Sequence, residues 1–87
     1  MNDTLERVVA EISAAPHSAA ALTLYALVST LEYERAGYLF KLDKLRDLSA
    51  EQRRLAYALM ETMVAGDNRG DAWEAAKNRM DDVVRGG

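Results

Sequence analysis

The apolar residues of segment 18–46 recur at alternating spacings of four and three positions. They are Ala21, Leu24, Val28, Leu31, Tyr38, Leu42 and Leu45, and Arg35 occupies the one polar position in this seam. Such spacing keeps one stripe of an α-helix against a neighbouring helix over many turns. The pattern therefore predicts one long central helix over 18–46, with Ser18 as its N-cap.

A glycine inside this predicted helix offers an alternative. Gly37 costs about 1 kcal/mol relative to alanine in a helix interior, so a break there is the competing interpretation. The seam keeps its register from Leu31 to Tyr38, and this favours a continuous helix. At about 1.5 Å per residue, that helix is roughly 43 Å long.

Three shorter helices are predicted around it, over residues 4–14, 50–65 and 72–85. Capping pairs precede all three, namely Asp3 with Glu6, Ser49 with Gln52, and Asp71 with Glu74. Pro16 ends the first helix, and Gly66 suits the left-handed position after the third. The apolar stripes are Leu5, Val8, Val9 and Ile12; then Leu55, Ala56, Leu59, Met60, Met63 and Val64; then Trp73, Ala76, Met80, Val83 and Val84.

Short connections make sequential helices antiparallel. We therefore predict an all-α fold, a small antiparallel helical bundle of about four helices around the long central helix, with residues 1–87 as a single domain.

The first half of the central helix is apolar on almost every side, from residue 19 to residue 28. A helix of this kind must be enclosed on several sides, and the short first helix is too little cover. We therefore expect a second copy of the chain, or another protein, to supply the rest. The fourth helix folding back over this half is the alternative that leaves the chain monomeric.

The residues expected to carry this contact lie on the seam, with one tyrosine at its edge. They are Leu24, Val28, Leu31, Arg35 and Tyr38, together with Tyr33. Arg35 has two open interpretations. A polar seam residue can fix register and oligomeric state, or its stem can lie along the apolar surface while the charge reaches water.

Composition narrows the function classes. The chain has 87 residues, a net charge of −3 and no cysteine, which excludes a disulfide and a thiolate zinc site. The absence of a basic surplus argues against nucleic acid as a partner. There is no signal-peptide pattern and no apolar run of about 20 residues, so we expect no membrane contact and a cytoplasmic location.

Little in the sequence points to catalysis. His17 is the only histidine, and Glu32 and Glu34 point in different directions on a helix. We therefore predict no enzyme activity, no cofactor, no metal and no small-molecule substrate.

The leading hypothesis is a non-enzymatic protein–protein interaction module, a small regulatory, adaptor or inhibitor protein that self-associates through an apolar helix face. The alternative is a helix-turn-helix-like DNA-binding regulator that uses helices 50–65 and 72–85. Its phosphate ligands would be Arg69, Lys77, Arg79 and Arg85, although Asp71, Glu74, Asp81 and Asp82 lie among them.

Overall fold

The computed structural model describes residues 3–32 and 40–86, which form an all-α bundle without strands in that part of the chain. This confirms the predicted fold class. The helices are α1 (Asp3–Ala14), α2 (Ala19–Glu32), a 3₁₀ helix (Leu42–Asp47), α3 (Ala50–Val64) and α4 (Asp71–Gly86). None of the described helices combines the length and the apolar character needed to cross a membrane.

Helix α1 lies at the centre of the packing and contacts α2, α3 and α4. Its whole predicted stripe is buried, because residues at spacings of three and four share one helix face. The buried apolar core consists of Leu5, Val8, Val9, Ile12, Ala21, Leu24, Leu27, Val28, Leu31, Leu48, Leu55, Ala56, Leu59, Trp73, Ala76 and Met80.

The prediction of one continuous helix over 18–46 is wrong for its last part, from Lys41 onward. Helix α2 ends at Glu32, Lys41 is extended (φ −96°, ψ 134°), and the chain then forms the 3₁₀ helix. Gly37 and Tyr38 lie outside the described residues. Burial favours this non-α-helical segment, since Phe40 and Leu45 are partly buried against the core. A straight helix of about 43 Å would project beyond a molecule whose longest extent is 28 Å.

Capping signals are confirmed at two helices. The Ser18 hydroxyl accepts a hydrogen bond from the Ala21 amide at 3.0 Å, at the start of α2. At α3 the capping box is complete, since the Gln52 amide donates to the Ser49 hydroxyl and the Ser49 amide donates to the Gln52 side chain. These bonds satisfy amides that have no partner within the helix.

The end of α3 is also as predicted. Gly66 has φ +83°, and its amide donates to the Met63 carbonyl while the Asp67 amide donates to the Thr62 carbonyl, both at 2.9 Å. This pair of bonds is the Schellman arrangement, which needs a left-handed residue after the helix. Helix α4 then begins at Asp71, one residue earlier than predicted.

One predicted core residue of α3 is on the surface. Val64 is 72% exposed, whereas Leu55, Ala56 and Leu59 are buried. At 3.6 residues per turn, Val64 lies about 140° around the helix from Leu59, which turns it away from the core.

Candidate functional site

Three of the predicted contact residues lie inside the chain's own core. Leu24 and Val28 are fully buried, and Leu31 is 6% exposed. A partner would therefore reach these three side chains only after the bundle opens, and their role in a partner contact stays a prediction. Tyr33, Arg35 and Tyr38 lie outside the described residues, and their role stays a prediction.

The apolar half of α2 receives most of its cover from within the chain. Helix α4 contributes to this cover, as the monomeric alternative required. The Tyr25 hydroxyl donates to the Asp81 carboxylate, and His17 Nε2 lies 3.3 Å from the Val84 carbonyl. Ala19 and Leu22 are the exposed residues on this half, and Leu22 is 44% exposed.

A polar cluster joins α2 to α4 beside this contact. Lys77 Nζ lies 2.9 Å from an Asp81 carboxylate oxygen and 3.6 Å from one of Glu32. It also lies 4.9 Å from the centre of the Tyr25 ring, a cation–π distance. Lys77 is only 7% exposed. The sequence indicates only one contact of this cluster, because Lys77 and Asp81 are spaced i, i+4 on one helix. The contacts with Tyr25 and Glu32 depend on the fold.

The electrostatics of the cluster favour the protonated forms of Lys77 and Tyr25. Burial lowers the pKa of Lys77, but the hydrogen bond and charge of Asp81 and the charge of Glu32 outweigh it, so the pKa is raised. Burial, followed by the hydrogen bond to Asp81, raises the pKa of Tyr25. A nucleophilic lysine needs a lowered pKa. The arrangement therefore holds two helices together and does not activate a nucleophile.

The geometry gives little support to the DNA-binding alternative. Lys77 is buried, and Arg79 makes a two-pronged pair with Glu6, at 2.8 and 3.0 Å. Of the four predicted phosphate ligands, Arg69 and Arg85 therefore remain available for contact with DNA. In a helix-turn-helix the two helices pack as a pair, whereas α4 packs chiefly on α1 and scarcely touches α3.

A cleft between α2 and the 3₁₀ helix has a volume of about 310 Å³. Leu22, Ala26 and Phe40 contribute apolar surface, and Lys41 and Lys44 contribute cations. The remaining lining residues are Ala19, Thr23 and Asp47. Leu42, which follows Lys41 in the chain, is 73% exposed. Apolar surface with a few charged groups is the usual composition of a binding site.

The seam pattern does not reveal this cleft, because the lining residues of α2 lie off the seam. Leu22 is one of these residues, and its apolar character in the sequence predicts only that another helix or a partner covers it. Its neighbours across the cleft, Phe40 and Lys44, belong to a segment predicted as helix. A large apolar residue off a helix stripe was the available signal.

A second cleft lies between α1 and α3. Its volume is about 230 Å³, and its lining residues are Arg7, Ala10, Glu11, Ala14, Glu51 and Leu55. It falls below the volume range of about 300–1,000 Å³ that is usual for ligand sites. The Gln52 side-chain amide also donates to Glu11 at 3.4 Å, which ties the two helices together. This cleft is a packing groove.

Metal ligands do not gather in the described part of the chain, where no three His, Cys, Asp or Glu side chains form a group. Comparison of the chain with protein-family models, with curated proteins and with solved structures finds no match in any of the three.

Proposed function

We propose that this chain is a non-enzymatic protein–protein interaction module that binds a partner segment in the cleft between α2 and the 3₁₀ helix. The observation that carries the proposal is an apolar surface left open beside two cations. Leu22 is 44% exposed at this cleft although most of α2 around it is buried. Burying such apolar area supplies about 25 cal/mol per Å² before entropy and desolvation are subtracted.

The charges at the cleft favour one class of partner. Lys41 and Lys44 are exposed, and neither has an ion-pair partner among the described residues. Asp47 is the opposing charge in the lining, so the cleft carries one net positive charge. The partner segment is therefore expected to insert one large apolar side chain and to place carboxylates beside the two lysines. The volume of about 310 Å³ accommodates one or two side chains.

The class of function is the one predicted from the sequence, but the proposed binding surface is the cleft and not the seam of α2. A regulatory, adaptor or inhibitor role in the cytoplasm belongs to the same proposal. The raised pKa of Lys77 argues only against this lysine as a nucleophile, because a nucleophilic lysine needs a lowered pKa.

Peptide selection tests the proposal directly. A displayed library of random 12-residue peptides is selected on the immobilised protein, and the enriched peptides are measured against Leu22→Asp and Lys44→Glu. We expect enrichment of a large apolar residue next to Asp or Glu. Leu22→Asp should weaken binding at least about tenfold, because it places a charge in the apolar floor.

A matched control comes from another exposed apolar residue. Val64 is 72% exposed on α3, away from the cleft, so Val64→Asp should leave peptide affinity unchanged. The Lys44→Glu variant should weaken binding more at low salt than at high salt, because screening reduces the interaction of exposed charges. Peptides that bind Leu22→Asp as tightly as the original chain, or a selection that enriches none, would refute the proposal.

A further inference from the structure

We propose that the outward face of α3 is a self-association surface that pairs with α3 of a second copy in antiparallel orientation. This inference is independent of the cleft, because it concerns a different helix. The face consists of Ala50, Arg54, Tyr57, Glu61 and Val64, and all five are exposed. Their spacing alternates between four and three residues, so they form one stripe opposite the buried Leu55, Ala56 and Leu59.

Two large apolar side chains on this stripe are exposed. Tyr57 is 48% exposed and Val64 is 72% exposed, and they lie two helical turns apart on the same face. Large apolar side chains aligned along one helix face are the anchors by which helices dock. The described residues also give neither Arg54 nor Glu61 an ion pair.

The order of residues along the stripe fits a two-fold axis at Tyr57. Ala50 and Val64 are each seven residues, or about 10.5 Å, from Tyr57 on opposite sides. In an antiparallel pair, Val64 of one copy therefore faces Ala50 of the other, and the large side chain meets the small one. Arg54 lies about 4.5 Å before Tyr57 and Glu61 about 6 Å after it, so the opposite charges meet within about 1.5 Å along the axis.

Charge decides between the two orientations. A parallel pair would set Arg54 against Arg54 and Glu61 against Glu61, and like charges in contact are unfavourable. The antiparallel pair forms two symmetry-related Arg54–Glu61 contacts, as an interface between identical surfaces requires. Tyr57 then packs against its counterpart on the axis, an aromatic contact at the centre of the interface.

The size of the face sets the expected strength. Helix α3 has 15 residues, so it is about 22 Å long. One such helix pair buries less surface area than the roughly 1,200–2,000 Å² that is usual for stable complexes. The dimer is therefore expected to be weak and to form over about 10 µM to 1 mM.

Charge reversal on the full chain tests the geometry. The oligomeric state is measured by sedimentation equilibrium for the unaltered chain, for Arg54→Glu and for Glu61→Arg, across that concentration range. Each single reversal sets two like-charged pairs against each other, so we expect association to weaken roughly tenfold. The double variant Arg54→Glu/Glu61→Arg should recover it, because the exchanged charges again face their opposites.

Mixing the two single variants adds an independent result. One carries two acidic groups on the face and the other carries two basic groups, so they should pair with each other more tightly than either pairs with itself. Glu74→Arg on α4 is the matched control for a charge change elsewhere, since Glu74 is exposed and lies on another helix. Leu22→Asp should leave self-association intact, which separates this inference from the cleft.

Folding is checked in the same samples through Trp73, the only tryptophan, which is 1% exposed. Should a charge reversal disturb that signal, Tyr57→Ser replaces it and should weaken association by removing the central contact. A constant monomer mass up to about 1 mM overturns the proposal. It is also overturned by single reversals that change nothing, or by a double variant that fails to recover association.

Discussion

Removal of Lys77 is expected to destabilise this protein more than removal of either of its acidic neighbours. In Lys77→Met the apolar stem is kept and only the ammonium group is lost. Asp81 and Glu32 then remain near each other without the cation that lies 2.9 and 3.6 Å from them. Breaking a buried pair from one side leaves an uncompensated charge, and this costs about 3–5 kcal/mol when burial is complete.

The partial exposure of the carboxylates reduces this figure. The Asp81 and Glu32 side chains are 23% and 18% exposed, against 9% for Lys77, so water solvates part of the charge left behind. We therefore expect a loss of about 2–3 kcal/mol in the free energy of unfolding. For a domain of this length, that lowers Tm by roughly 8–24 °C.

Asp81→Asn gives the comparison that makes the prediction specific. In that variant Lys77 still faces Glu32, and the amide oxygen can still accept the hydrogen bond from Tyr25. Only the charge of one acceptor is lost, so we expect about 1 kcal/mol. Lys44→Met, which removes an exposed lysine, is the matched control and should leave Tm almost unchanged.

Acid pH should reduce the difference in stability between Lys77→Met and the original chain. Burial raises the pKa of Asp81, but hydrogen bonds from Lys77 and Tyr25 outweigh it, so the folded-state pKa lies below the ordinary 3.8. The stabilisation from this carboxylate is therefore present above about pH 4 and is lost as the pH falls through the folded-state pKa. Without Lys77 the pKa of Asp81 is no longer held as low, so this carboxylate contributes less acid-labile stability. The difference in Tm between Lys77→Met and the original chain should therefore narrow as the pH falls through the folded-state pKa of Asp81.

Thermal melts followed by far-UV circular dichroism and Trp73 fluorescence, from about pH 2.5 to 7, measure both effects. The reasoning would be refuted by a Lys77→Met Tm within about 3 °C of the original. It would equally be refuted by an Asp81→Asn variant that is less stable than Lys77→Met at neutral pH.

Three further changes test the packing and the helix ends. Val28→Asp should prevent folding at every protein concentration, because Val28 is fully buried within one chain, and calorimetry should find no cooperative transition. Ser49→Ala should cost about 1 kcal/mol in chemical denaturation, since it removes half of the capping box, and an unchanged midpoint would contradict this. Gly66→Ala should lower Tm although a Cβ would meet nothing within 4 Å, because φ is +83°, whereas Gly86→Ala should not.

The sequence predicts the local features of this fold because they depend on neighbouring residues. The capping box at Ser49 and the left-handed turn at Gly66 each involve residues within five positions, and both are confirmed. The buried stripe of α1 follows from helix periodicity alone. In the same way, α2 begins after Ser18 because that hydroxyl satisfies an amide three residues later.

The non-local features could not be predicted in this way. The extended backbone at Lys41 and the 3₁₀ helix after it accompany burial of Phe40 and Leu45 against the core, which local spacing does not encode. The buried side chain of Lys77 is a similar case. Its partner Asp81 is visible four residues away, but Tyr25 lies 52 residues away in the sequence and only the fold brings the two together.

A 4-3 spacing does not by itself distinguish a core stripe from a surface that binds a partner. Such spacing shows that a helix stripe contacts another helix, but it does not show whether that helix belongs to the same chain. In α2 the stripe containing Leu24 and Val28 is buried by other helices of the same chain, so its strong apolar character reflects its place in the core. In α3 the outward stripe repeats with the same period but alternates apolar and charged residues, Tyr57 and Val64 with Arg54 and Glu61. This mixed composition keeps the stripe compatible with water in the monomer, while its alternating charges and apolar side chains are complementary to a second copy in antiparallel orientation.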